Sequence, residues 1–178
     1  MPSTVVILHG PPGAGKYTIA SKLAELSSLK LFHNHLVVDS LLALFDFGSK
    51  PFIHYRESIW LDLMGSAAAE QTSFIFTFNP ESTVSVDFIP TIEKVLASHQ
   101  ANVLFVHVTC SDEALEQRMN SESRQKFKKL TSFAFYTELK AQGAFEFPAI
   151  PFDLLIDSSL TSPDDAAAKI FDFMQTRL

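Results

Sequence analysis

The sequence predicts an α/β domain built on a doubly wound parallel sheet, and three observations carry that prediction. Short β-rich apolar runs alternate with helical patterns along the chain, the arrangement that gives right-handed crossovers between parallel strands. The first, third and fourth runs are nearly continuous in apolar residues, as strands covered by helices on both faces must be. A glycine-rich segment joins the first run to the first helical pattern.

Five strands are expected, over residues 4–8, 29–32, 73–78, 103–108 and 154–156. Helices are expected over 15–26, 36–45, 52–70, 84–99, 112–120, 131–142 and 164–176. The last carries a start signal, with Ser162 as cap, Pro163 in the first turn and Asp165 at capping-box spacing. Residues 121–130 break the pattern, being polar and basic in an otherwise apolar chain.

The 178 residues show no internal repeat or composition break, so one domain over residues 1–178 is expected. Apolar residues make up 47%, seventeen of them Phe, which excludes disorder from lack of buriable surface. A net charge of −6 argues against nucleic acid or anionic lipid as a partner of the whole surface, since polyanion binding needs clustered Lys and Arg. The single Cys110 excludes an internal disulfide and points to a reducing, cytoplasmic setting. No stretch approaches the roughly 20 apolar residues of a membrane span.

The chemistry concentrates at Gly10-Pro11-Pro12-Gly13-Ala14-Gly15-Lys16-Tyr17-Thr18, between a strand and a helix. Glycine tolerates backbone conformations that let successive N–H groups point at one anion. The helix N-terminus adds the positive end of its dipole, and Lys16 adds a mobile charge for terminal phosphates. The phosphate-binding set is therefore Gly10, Pro12, Gly13, Ala14, Gly15, Lys16, Tyr17 and Thr18, with Lys16 also catalytic. One departure stands out. The usual loop has Ser or Thr after the lysine as a Mg²⁺ ligand, and here Tyr17 holds that place. Its long ring should not reproduce the contact, which leaves Thr18 as the candidate metal residue and Mg²⁺ held mostly through water.

With the strand pattern and the chain length, Gly-Pro-Pro-Gly-Ala-Gly-Lys resembles the loop of P-loop small-molecule kinases: the nucleoside-monophosphate, shikimate and gluconate kinases and chloramphenicol phosphotransferase. The likeness is strongest to members with His-Asn-His after the second strand and a residue other than Ser or Thr after the loop lysine. It implies a three-layer P-loop NTPase sandwich with strand order 2-3-1-4-5, a substrate lobe at about 33–70 and a small lid at about 121–130. It also implies ATP and Mg²⁺ as cofactors and a small-molecule acceptor.

Residues after the second strand fall where an acceptor would bind, outside the carboxyl ends of the strands. His33 and His35 are candidate hydrogen-bond donors there. Asp39 is the only carboxylate between Glu25 and Asp46, which makes it the candidate to orient an acceptor hydroxyl and take its proton. It resembles the carboxylate that follows Val in chloramphenicol phosphotransferases. The acids of the shikimate pattern would fall at about His33 or His35 and are missing.

Arg56 lies within an apolar stripe of Phe52, Ile59, Trp60, Leu63 and Ala67, so it either pairs with a buried acid or points into the cleft. The resemblance favours the cleft. Arg118, Arg124, Lys126, Lys128 and Lys129 crowd into twelve positions. In lid-type kinases such guanidinium groups neutralise charge on the transferred phosphoryl, which makes Arg118 and Arg124 catalytic candidates. Cys110 reads as packing.

The sequence thus points to an ATP-dependent phosphotransferase acting on a small-molecule hydroxyl. A nucleotide-binding regulator or weak NTPase is the alternative, favoured by Tyr17, and a nucleic-acid kinase is a third reading.

Overall fold

A computed structural model describes residues 2–119 and 132–177. Five strands form one parallel sheet: β1 (Thr4–His9), β2 (Lys30–His33), β3 (Phe74–Phe78), β4 (Asn102–Thr109) and β5 (Leu154–Asp157). Their order is β2-β3-β1-β4-β5, so the chain crosses over β1 on its way to β4 and leaves β2 and β5 as edges. Among the described residues seven helices connect them: α1 (Lys16–Ser27), α2 (His35–Leu42), α3 (Lys50–Ala69), α4 (Phe88–Ser98), α5 (Asp112–Met119), α6 (Phe133–Ala141) and α7 (Pro163–Arg177).

Alternation along the strands divides the core. Val5 and Ile7 of β1, the three Phe of β3 and Phe105 of β4 face one way, against α2, α3 and α4. Val6, Leu8, Ile75, Val106 and Val108 face the other way, against α1 and α7. The period of two in a pleated strand produces both sets from one run of apolar residues.

Gly10 fixes the way the chain leaves β1. Its φ is +145°, and a β-carbon there would come within 2.1 Å of the Val108 carbonyl oxygen on β4. Only glycine permits that approach. The start of α7 behaves as its residues dictate: Ser162 Oγ accepts from the Asp165 N–H at 3.1 Å.

Two expected elements shift. β2 runs to His33, so that histidine ends the strand rather than following it. The helix expected from residue 84 begins at Phe88, because residues 81–85 are engaged by α3. The apolar stripe of α3 also sits one position over: Phe52, Arg56, Trp60, Met64 and Ala68 are buried, while Leu63 is exposed. The expected lid at 121–130, including Arg124, Lys126, Lys128 and Lys129, lies outside the described residues.

Candidate functional site

The loop from Gly10 to Lys16 is shaped by three glycines at positive φ: Gly10, Gly13 and Gly15, the last two at +90° and +88°. Gly15 is the N-cap of α1 and has no side chain with which to cap it. The first turn of a helix carries N–H groups that its own backbone does not satisfy, so this junction suits an anion. Lys16 Nζ donates to the carbonyl oxygens of Gly10 and Pro11, both at 2.7 Å. The ammonium is thereby folded across the loop from which it springs.

A second cation stands beside it. Arg118 leaves the last turn of α5, and a β-carbon on Gly15 would lie 3.7 Å from its Nη1. Its guanidinium donates to Ser158 Oγ at 2.9 Å, to the Ser158 carbonyl at 2.6 Å and to Cys110 Sγ at 3.2 Å. Cys110 therefore does more than pack. Ser158, just after β5, in turn donates to the Thr109 carbonyl at 2.9 Å. The ends of β4 and β5 hold Arg118 against the loop.

On the other flank, Tyr17 is 44% exposed and turns its ring edge-on to His33, with centroids 5.0 Å apart. Its hydroxyl-bearing ring thus meets the end of β2. Thr18 is also exposed. The His33 and His35 rings are 6.5 Å apart, and His35 Nδ1 donates to Asp39 Oδ1 at 3.2 Å across one turn of α2. Tyr17, His33, His35 and Asp39 make a chain of contacts leading from the loop helix into the segment after β2. Val37, Val38 and Leu41 face the core and leave Asp39 on the open side of α2.

Arg56 overturns the expectation that it points into the cleft, because it takes the buried-acid alternative. It is 2% exposed, lies 5.3 Å from the ring centroids of Phe52 and Trp60, and donates to Glu81 Oε1 at 2.7 Å. It also reaches Thr83 Oγ1 and the Thr83 carbonyl at 3.1 and 2.9 Å. Glu57 accepts from the Ser85 N–H at 2.8 Å. The two α3 charges bind down the segment after β3.

The sequence reading missed His9 and His107. They are register partners on β1 and β4, and their rings stack with centroids 4.8 Å apart and planes 9° apart. Burial, then His107, then the Lys16 charge hold the His9 imidazole down at about 3. His107 is lowered by burial and then by Lys16. Both rings therefore stand neutral within the field of the loop lysine. A histidine closing an otherwise apolar strand, two positions beyond Ile7, was the available signal.

No three His, Cys, Asp or Glu among the described residues come together as a metal site, and no helix there is long and apolar enough to cross a membrane. Two surface cavities, of about 390 and 410 Å³, lie beside Phe105 and Phe152 and between β5 and α7, and no residue of the loop lines either.

No family model matches the chain, and no curated protein matches it by sequence. Solved structures do match. A sugar kinase from Janibacter sp. superposes with a TM-score of 0.66 at 17% identity, over 98% of this chain and 95% of that one. The APS kinase of Mycobacterium tuberculosis, in complex with AMPPNP and APS, gives 0.65 at 15%, over 98% of both chains. The shikimate kinase of Acinetobacter baumannii, in complex with shikimate, gives 0.58 at 17%, over 99% and 94%.

The chain has the fold of the P-loop kinases. At such identities the likeness establishes the fold. A fold does not fix a reaction, which depends on the residues gathered at the carboxyl ends of β1, β2 and β4.

Proposed function

We propose that this protein is an ATP-dependent phosphotransferase that acts on a hydroxyl of a small molecule. The observation that carries the reading is the pairing of Lys16, folded over the glycine loop at 2.7 Å from two of its carbonyls, with Arg118 fixed beside Gly15. Two cations converging on one helix N-terminus suit a chain of phosphates better than a single anion.

These residues fit a nucleoside triphosphate. Gly13, Ala14, Gly15, Lys16 and Thr18 would receive its phosphates, with Gly10 and Pro12 setting the loop's path. They fit Mg²⁺ less well, since Tyr17 turns to His33, which leaves the exposed Thr18 as the loop's candidate hydroxyl. A Mg²⁺ ion arriving with the nucleotide would accordingly be held mostly through water and the nucleotide itself, and would supply charge neutralisation there.

The acceptor would lie between the loop and α2, its hydroxyl turned toward Asp39. In the transfer, that oxygen bonds to the γ-phosphorus and the bond from phosphorus to the β–γ bridging oxygen breaks, leaving ADP. The hydroxyl proton passes to the Asp39 carboxylate, which His35 holds in place. Arg118 would meet charge spreading over the transferred group. Arg124 has the same assignment by sequence.

The test is an ATP-consumption screen over sugars, nucleosides, nucleotides, hydroxy acids and antibiotics, with calorimetry of ATP binding. Wild type should bind ATP and transfer to one class, Lys16→Ala should lose affinity, and Asp39→Asn should bind ATP without transferring. Tyr17 favours one other reading, a nucleotide-binding regulator with weak hydrolysis. Phosphate release that no acceptor stimulates would establish that reading instead.

A further inference from the structure

β5 is an open edge of the sheet, so among the described residues one row of its backbone N–H and C=O groups has no strand beside it. The two edges differ. β2 opens on an exposed Lys30 and keeps its other side chains partly covered, whereas β5 reads Leu154-Leu155-Ile156-Asp157 and leaves Leu155 52% exposed. Lysine on an edge deters a further strand, and an apolar edge without it is a template for one. The groove of about 410 Å³ between β5 and α7 borders that edge. Leu154 and Ile156 line it from the strand, and Lys169, Asp172 and Phe173 line it from the helix. Ala166, Ala167, Ile170 and Met174 hold α7 to the core, which leaves Lys169 and Asp172 exposed on the groove side. Neither of these two charges has an ion-pair partner among the described residues.

We propose that two copies of this chain pair across this face, β5 against β5 and α7 beside α7, to form a two-fold dimer with one sheet continuous through both copies. A two-fold axis normal to the sheet makes the added strand antiparallel and keeps each face of the sheet on its own side. Side chains opposite one another in an antiparallel pair share a face, so residues of like parity must meet. The register centred on Leu155 sets it against the partner's Leu155 and sets Leu154 against the partner's Ile156, apolar on apolar at each place. It also brings Asp157 opposite the partner's Asp153, a carboxylate whose charge Arg177 of the same chain meets at 3.0 Å. An axis through Ile156 would instead set the exposed Leu155 against the partner's Asp157. The same axis runs the two α7 helices antiparallel, and Lys169 of each copy then reaches toward the partner's Asp172. A self-paired surface must carry both signs of charge, since each copy brings the same residues. No residue of the loop or of α2 lines this groove, so the dimer stands apart from the phosphotransferase reading.

The experiment is sedimentation equilibrium of the full chain for wild type, Leu155→Lys, Lys169→Asp and the charge exchange Lys169→Asp/Asp172→Lys. Circular dichroism checks that each is folded, which the exposure of all three positions favours. Wild type should show twice the 19.8 kDa of one chain at about 100 µM. Leu155→Lys and Lys169→Asp should each weaken the dimer about tenfold or more, and the exchange should restore it, because both copies change together. A monomeric wild type at that concentration overturns the proposal and leaves the edge to a strand of another protein. A dimer that neither single variant weakens lies on another surface and overturns it equally. So does a loss in Lys169→Asp that the exchange fails to restore. Should Leu155→Lys not fold, the charge exchange decides by itself.

Discussion

Arg56 Nη1 and Glu81 Oε1 lie 2.7 Å apart where both residues are more than nine-tenths buried, with the guanidinium flanked by Phe52 and Trp60. The pair joins α3 to the segment after β3. Removing one partner of a buried pair strands the other charge, at a cost of about 3–5 kcal/mol. Arg56→Met or Glu81→Met should therefore lower unfolding stability in urea by that amount, whereas the double variant should recover much of it. Full additivity of the two losses would show that the charges do not act as a pair.

The contact between Tyr17 and His33 leads to a prediction about metal dependence. With the Tyr17 ring directed to the end of β2, the position after Lys16 supplies no short hydroxyl. Tyr17→Ser should raise the Mg²⁺-dependent part of ATP affinity by up to about tenfold. Calorimetry with and without Mg²⁺ reads the difference. An affinity that stays the same in both conditions would place the metal's attachment elsewhere.

The fold and the glycine loop between β1 and α1 were legible because they rest on local patterns. Continuous apolar runs, the spacing of Gly10, Gly13, Gly15 and Lys16, and the Ser162–Asp165 cap are all written in neighbouring residues. What was hidden depends on partners far along the chain. Arg56 and Glu81 are separated by 25 positions, Arg118 and Ser158 by 40. His9 and His107 meet only because β1 and β4 pair in one register. A single sequence shows that a charge lies on an inward stripe, and it does not show which acid comes to meet it.

Arg118 is tethered, and that makes its role separable from its anchor's. Ser158 receives two of its hydrogen bonds, at 2.9 and 2.6 Å, the second through a backbone carbonyl that no substitution removes. Removing one preorganised cationic donor from a developing charge costs about a hundredfold or more in turnover. Arg118→Ala should show such a loss in kcat, and Ser158→Ala a smaller loss of about tenfold. Steady-state kinetics with saturating ATP distinguishes them. Equal rates in wild type and Arg118→Ala would remove Arg118 from the transfer step.

The His9 imidazole makes stability depend on pH in a definite direction. Its value falls from 6.5 to about 3 on folding, chiefly through burial. Below about pH 6.5 the unfolded chain therefore takes up a proton that the folded chain refuses. Stability from this residue is fully present above that pH and is lost progressively as pH falls toward 3. Between pH 8 and pH 4.5 the loss should reach about 2–3 kcal/mol. Carboxylates titrate over the same range, so the quantity to measure is the difference between wild type and His9→Asn in urea unfolding at each pH. Asn cannot titrate and should show a flatter acid limb. Parallel limbs in the two proteins would mean that His9 accepts its proton in the folded state, and the neutral pair beside Lys16 would have to be given up.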